Sequence, residues 1–172
     1  MSSEKFDAKS IDLSGKNLIE ASAGTGKTYS IGILALRLII EKNIPINQIL
    51  MVTFTNTAVA ELEDRIRKFI RVAYKIKRGE VIDLEYNEIY NILERIRNQK
   101  IVDDDKVLER LSNAIQLLDE TSIQTIHSFC QDTLKEYAFE TNQMYDTKLL
   151  TNIDDVILDS LKDFWRNEIT RI

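Results

Sequence analysis

The octet Ala21-Ser22-Ala23-Gly24-Thr25-Gly26-Lys27-Thr28 constrains this chain more than any other stretch. It fits the spacing G-x-x-x-x-G-K-[ST], with alanine in place of the first glycine. The departure is mild, because that position is a strand exit where a small side chain suffices. Leu18 and Ile19 close a short extended run just before it, and "KTYSIGILALRLIIEKN" follows. Ile31, Ile33, Leu34, Leu36, Leu38, Ile39 and Ile40 make that segment apolar almost all round, the pattern of a helix buried on most sides. Strand, loop and helix in this order aim the free N–H groups of the helix start back at the loop, which is how a phosphate is held. A glycine loop with a solvent lysine is the bland alternative, and the flanking pattern argues against it. The whole octet is therefore expected to cradle the phosphates of ATP. Gly24, Thr25 and Gly26 offer backbone N–H groups, Lys27 reaches the β- and γ-phosphates, and the Thr28 hydroxyl ligates Mg²⁺.

A chain of 172 residues holds one domain, or one plus part of another. Its single cysteine, Cys130, excludes an internal disulfide and fits a reducing compartment. "MSSEKFDAKS" has no signal-peptide pattern and no apolar run reaches membrane length, so a cytoplasmic protein without membrane contact is expected. The net charge of −5 excludes a nucleic-acid binder that relies on a global positive field, though not a motor with a local basic track.

With one proline and five glycines, helices should dominate. "NIPIN" is a turn, and "QILMVTF" (residues 48–54) is a continuous apolar run of strand length. From about Thr57 to Arg78, the apolar positions Ala58, Leu62, Ile66, Phe69, Ala73 and Ile76 step by three and four, the signature of one buried helical stripe. Residues 86–99 and 104–119 read as two amphipathic helices around the acidic turn "VDDD". A short strand over 122–126 then enters another helix, and the stretch from Asn152 is again helical. The expected fold is α/β: part of a P-loop NTPase (RecA-like) parallel sheet, helix-rich overall, with a helical insertion. Residues 1–80 begin the motor domain, 81–120 form the insertion, 121–140 return to the motor domain, and 141–172 start a further helical subdomain.

Three features could carry chemistry beyond the octet. Thr53-Phe54-Thr55-Asn56 sits at the carboxyl end of the second strand, the edge where α/β sheets place ligands. There Phe54 is either a stacking platform for a base or a core residue, and Asn56 a phosphate contact, a helix N-cap, or both. Arg65, Arg67, Lys68, Arg71, Lys75, Lys77 and Arg78 form a cationic run without an acid among them. It is either a DNA-backbone contact or a solvated helix face, the latter more so for Lys75 to Arg78. His127, in "TIHSFC", is the only histidine; beside one cysteine it makes neither a metal site nor a nucleophile pair.

"LIEASAGTGKT", "VTFTNTAVAELEDRIR" and "TIHSFCQDTL" resemble, in order, motifs I, Ia and Ib/Ic of UvrD-like superfamily 1 DNA helicases. "ASAGTGKT" and "DFWR" (163–166) are similar to the beta-subunit (RecB) branch of exodeoxyribonuclease V, and the resemblance covers about residues 13–165. It implies an ATP-dependent helicase and exonuclease acting in recombinational repair of double-strand breaks. It also implies RecC-like and RecD-like partner subunits, and contact with single-stranded DNA and a duplex end. By the same resemblance Phe54, Thr55, Asn56 and Arg65 line the single-strand path, with His127 and Ser128 nearby. Many UvrD-like proteins read adenine with an upstream glutamine; residues 1–20 contain none, which favours the RecB over the AddA type and leaves that role unassigned.

No apolar strand ending in Asp-Glu is present, so the metal-holding and water-positioning acids are missing, and Asp154-Asp155 precedes an apolar run instead of ending one. The chain therefore reads as an N-terminal fragment, inactive by itself. The family's motor domain places two strands between the P-loop strand and the motif Ia strand. The fragment is expected to close that gap by non-native pairing or to self-associate across it. A different P-loop ATPase and a non-catalytic nucleotide-binding module are the competing readings.

Overall fold

The computed structural model describes residues 6–22, 24, 26–80, 83–138, 140 and 152–169. Its compact units are Met1–Phe129 and Cys130–Ile172. The fold is helix-rich α/β with a small parallel sheet.

In the first unit, helix α1 (Lys27–Lys42) buries Ile33, Ala35, Leu36, Ile39 and Ile40 and stops at Asn43, whose left-handed φ of 56° ends the helix. A 3-10 turn (Ile46–Gln48) leads into strand β1 (Met51–Thr53). Helix α2 (Asn56–Lys77) is the centre of the packing: α1, α3 (Asn87–Asn98), α4 (Asp104–Gln116) and the sheet all rest against it. Its buried stripe is Leu62, Ile66, Phe69, Ile70 and Ala73. It meets Ile89, Ile92, Leu93 and Ile96 of α3 and Val107, Leu111 and Ala114 of α4 in one core. Strand β2 (Ile123–Thr125) pairs with β1 in parallel, in the register Met51↔Ile123, Val52↔Gln124, Thr53↔Thr125. Helix α5 (Ile126–Glu136) follows β2 directly.

Arg37 is only 3% exposed inside this core. Its guanidinium is held bidentately by Glu41 one turn later, at 2.7 and 3.1 Å, and its third nitrogen donates to the Ala8 carbonyl at 2.9 Å. Arg95 of α3 also reaches Glu41. A buried charge is tolerable only when paired and hydrogen-bonded in this way, and the pairing fastens the arm before the P-loop to α1 and α3.

Several expected elements are corrected. The strand at Leu18-Ile19 is not formed: residues 17–20 make no backbone–backbone hydrogen bond among the described residues, and Leu18 is 88% exposed. A strand of two apolar residues persists only against a neighbour, and here β1 and β2 pair with each other. The run over 48–54 yields only the three residues of β1, because Pro45 opens a 3-10 turn that takes up Gln48. The expected strand over 122–126 shortens to Ile123–Thr125, and the helix over 104–119 ends at Gln116, followed by a 3-10 turn at Leu118–Glu120. Among the described residues, the segment over 17–22 pairs with no strand.

In the second unit, helix α6 (Asp154–Phe164) continues into a π-helical turn at Trp165–Ile169. Asp154 and Asp155 in its first turn complement the helix dipole, and Lys162 pairs with Asp159 at 3.0 Å. The parts of the 141–172 subdomain expectation that fall on 141–151 and 170–172 lie outside the described residues.

Candidate functional site

Two loop-to-helix junctions carry the residues singled out by sequence. At the first, Gly24 and Gly26 take φ of 76° and 82°, the left-handed region that L side chains avoid. Gly26 is the N-cap of α1 and makes no side-chain cap bond. Ser30 N–H donates to the Gly26 carbonyl at 2.9 Å, the first intrahelical bond. The amides of Lys27, Thr28 and Tyr29 precede it, in the turn where no intrahelical acceptor exists. A Cβ built on Gly24 meets nothing within 4 Å, so open space lies above the loop. Open amides, open space and left-handed glycines fit a polyphosphate. Lys27 lies folded back over the loop, its Nζ donating to the Ala21 carbonyl at 2.8 Å. The ammonium thus satisfies a loop carbonyl and has to leave it to pair with an anion. Thr28 is half-buried at the same turn, and no cluster of three metal-ligating side chains exists among the described residues. Any Mg²⁺ here would be held by the Thr28 hydroxyl together with phosphate oxygens. Ala23 and Thr25 lie outside the described residues.

The second junction is the carboxyl edge of the sheet. The parallel register puts Thr53 beside Thr125, so Phe54, Thr55 and Asn56 leave β1 next to where Ile126, His127 and Ser128 leave β2. The structure thereby brings together two sequence stretches 72 residues apart. Phe54 is 77% exposed, which settles its two readings against a core residue. The cap of α2 is Thr55, whose Oγ1 accepts from Ala58 N–H at 3.2 Å; Asn56 is the first helical residue and not the N-cap. The extended backbone at Thr55 and its short hydroxyl suit that position. Thr125 repeats the device, accepting from Ser128 N–H at 3.2 Å while its hydroxyl lies 3.0 Å from Ser128 Oγ. That buried cap was not found from sequence; its signal is the threonine three residues before Ser128, directly ahead of a helix. His127 is exposed beside it. An exposed ring with hydroxyls, an amide and an imidazole around it can stack on a base and hydrogen-bond a phosphate.

The cationic run of α2 is mostly neutralised. Arg65 pairs with Glu61 at 3.1 Å, Lys68 with Asp64 at 3.5 Å, Arg67 with Asp119 at 2.9 Å, and Lys77 with Asp104. The acids lie one turn earlier or on another element, so a count within the run misses them. Arg71 and Lys75 have no ion pair among the described residues, and the Arg78 guanidinium lies 5.9 Å from the Tyr74 ring centroid. Lys68, Arg71, Lys75 and Arg78 are exposed, and Arg65, Arg67 and Lys77 are half-buried. The Arg65 guanidinium also lies 5.9 Å from the Tyr29 ring centroid.

Tyr29 was not singled out by sequence. Its ring packs edge-on against Phe69 of α2 at 5.1 Å, locking the first turn of α1 to the core. Burial and then the Glu88 carboxylate push its phenol up to about 12, so it stays a proton donor.

The model of the UvrD/REP helicase N-terminal domain matches residues 1–170. The chain is 38% identical over 176 residues to the RecBCD enzyme subunit RecB of Buchnera aphidicola subsp. Acyrthosiphon pisum, covering 95% of this chain and 14% of that protein. It is 34% identical over 171 residues to RecB of Escherichia coli K12, with the same coverage. With RecB of Chlamydia muridarum the identity is 30% over 175 residues, 99% of this chain and 17% of that protein. The chain thus spans about a seventh of the length of the first two of these curated relatives. A match of this extent, on a chain whose three motifs stand at two helix starts and a paired strand edge, places it in a family: it belongs to the UvrD/REP helicase N-terminal domain family.

Proposed function

We propose that this chain is the ATP-binding start of a RecA-like motor domain in an ATP-dependent DNA helicase and exonuclease subunit of recombinational double-strand break repair. The observation that carries the reading is the P-loop junction and the Phe54–His127 edge standing on one folded unit, each at a helix start. In this reading the amides of the 21–28 loop and Lys27 hold the phosphates of ATP, and the Thr28 hydroxyl holds Mg²⁺. Phe54, Thr55, Asn56, His127 and Ser128 contact single-stranded DNA. Residues 81–120 are an insertion in the motor domain, and RecC-like and RecD-like subunits are partners of the whole protein in the cytoplasm. Among the described residues no helix is long and apolar enough to cross a membrane.

The nucleotide, when bound, supplies the phosphoryl bond whose hydrolysis drives such motors. This chain's own residues bind and orient it: the first-turn amides face its charge, and Lys27 exchanges the Ala21 carbonyl for a phosphate oxygen. Because that exchange costs a hydrogen bond, affinity is modest. Calorimetric titration with Mg²⁺·ATP at low ionic strength tests the reading. Binding should be lost in Lys27→Ala, and hydrolysis by the 172-residue chain should be negligible with or without DNA. Absence of any binding by the unaltered chain would overturn the site.

A further inference from the structure

A cleft of about 330 Å³ opens where α1 ends. Helix α1 is 16 residues long, so a rise of 1.5 Å per residue sets this cleft about 24 Å from the phosphate loop. No residue named at either junction lines it, so what it binds is independent of the nucleotide and DNA readings. It forms because Asn43, at a left-handed φ of 56°, turns the chain out of α1 into Ile44 and Pro45. The last two turns of α4 close the other side. Its walls are fixed. Ile39 and Ala114 are each 2% exposed, and Ile44 N–H donates to the Leu38 carbonyl at 3.3 Å. Arg110 Nη1 donates to the Ile40 carbonyl at 2.5 Å, fastening α4 to the end of α1.

Among the described residues, Arg110 is the only charged one in the lining. It is half-buried, it donates to a neutral carbonyl, and no described acid pairs with it. The negative end of the α1 dipole offsets only about half a charge. A half-buried guanidinium in this state fits an anion, and its remaining N–H groups match the two oxygens of a carboxylate. Asn43, Asn113 and Gln116 stand around it, and their amides make no side-chain hydrogen bond among the described residues. Such amides match the N–H and C=O groups of a peptide, and Ile44, Pro45 and Leu117 add an apolar rim. A nucleic acid is bound by several cations, each neutralising a phosphate, and this lining holds one. We propose that this cleft docks a protein partner, taking one Asp or Glu side chain of an acidic and apolar peptide segment onto Arg110.

The test uses two labelled short peptides that alternate leucine with glutamate or with glutamine, read by fluorescence polarisation at low ionic strength. The glutamate peptide should bind at least about tenfold more tightly, the effect of one charge-assisted pair. The net charge of −5 opposes such a preference, so bulk attraction does not produce it. Arg110→Gln, which can still donate to the Ile40 carbonyl, should abolish the preference. Gln116→Glu should do the same by adding a competing carboxylate, with the Arg110–Ile40 bond left in place. Arg71→Gln, on the exposed face of α2, should leave the preference unchanged. Equal affinities for the two peptides overturn the site, as does binding of neither. So does a preference that survives in either cleft variant with the chain still folded, or one that Arg71→Gln removes. Displacement of the glutamate peptide by oligothymidine would assign the cleft to nucleic acid and overturn the peptide reading.

Discussion

The phosphate-loop junction and the carboxyl edge of the sheet are built from the same parts in different states of completion. At the sheet edge, β1 and β2 pair over three residues each and deliver Thr55 and Thr125 into position as side-chain caps of α2 and α5. At the phosphate loop no strand is formed, the cap is a glycine without a side-chain bond, and the lysine folds back onto Ala21. Both junctions open onto the same core through α1 and α2, so the difference does not come from the helices. It comes from what precedes them. A paired strand fixes the direction and depth at which the chain enters a helix. An unpaired one leaves its backbone groups to be satisfied locally, by water or by the nearest donor.

The largest expected effect makes the two junctions fail together. Ile66 is 1% exposed at the middle of α2, and Ile66→Ala should lower unfolding free energy by about 2–5 kcal/mol, against a total of about 5–15 for a domain. Chemical denaturation should show one shifted transition. Two separate transitions, with the Tyr29 region outlasting the sheet edge, would show that the junctions do not share a core.

Next, the junctions should separate functionally. Phe54→Ala should weaken binding of an oligothymidine by about 1–3 kcal/mol if one base stacks on the ring, with Mg²⁺·ATP affinity unchanged. A fluorescence titration of labelled oligonucleotide reads this. Unaltered oligonucleotide affinity would remove Phe54 from the DNA path.

A smaller effect sharpens the contrast in capping. Thr55→Ala removes the acceptor for Ala58 N–H and should cost about 1 kcal/mol, read by thermal melting. Stability unchanged by this substitution would make the hydroxyl cap no more useful than the glycine of the phosphate loop.

The smallest effect lies away from both junctions. The Lys77 ammonium, hydrogen-bonded to Asp104, holds its carboxyl below the ordinary 3.8, with Arg97 adding to the effect. A depressed carboxylate contributes stability that is present above pH 3.8 and is lost as pH falls through its folded value. Asp104→Asn should therefore melt slightly lower than the unaltered chain at pH 6, and the gap should close on acidification below about 3.8. A gap that persists at pH 2 would attribute the effect to something other than this ion pair.

Much of the helical architecture was legible in the residues. The three-and-four spacing of Leu62, Ile66, Phe69 and Ala73 places the buried stripe of α2, because 3.6 residues per turn put those side chains on one face wherever the helix packs. The two amphipathic segments after it, and the start of a helix at Lys27, follow from the same periodicity and from the glycine–lysine–threonine junction. The extent of the strands was not legible. "QILMVTF" and "NLIEA" are both apolar runs, yet one yields three paired residues and the other none. Nor was the fate of the cations legible, since Asp119 and Asp104 meet Arg67 and Lys77 only after α4 has folded back on α2.

The sequence by itself therefore determined most of the helices, the face that α2 buries, and that a glycine-containing loop precedes the first helix. Those properties depend on near neighbours in the chain. Only the tertiary structure decided that Phe54 stands free beside His127, that Thr55 and not Asn56 caps α2, and that the 6–9 arm is held by Arg37 to form a cleft with Glu85 and Glu88. Each of these depends on a partner strand, a backbone angle or a buried ion pair supplied from elsewhere in the chain. A strand has no internal hydrogen bonds, so its existence and its register are properties of the pair.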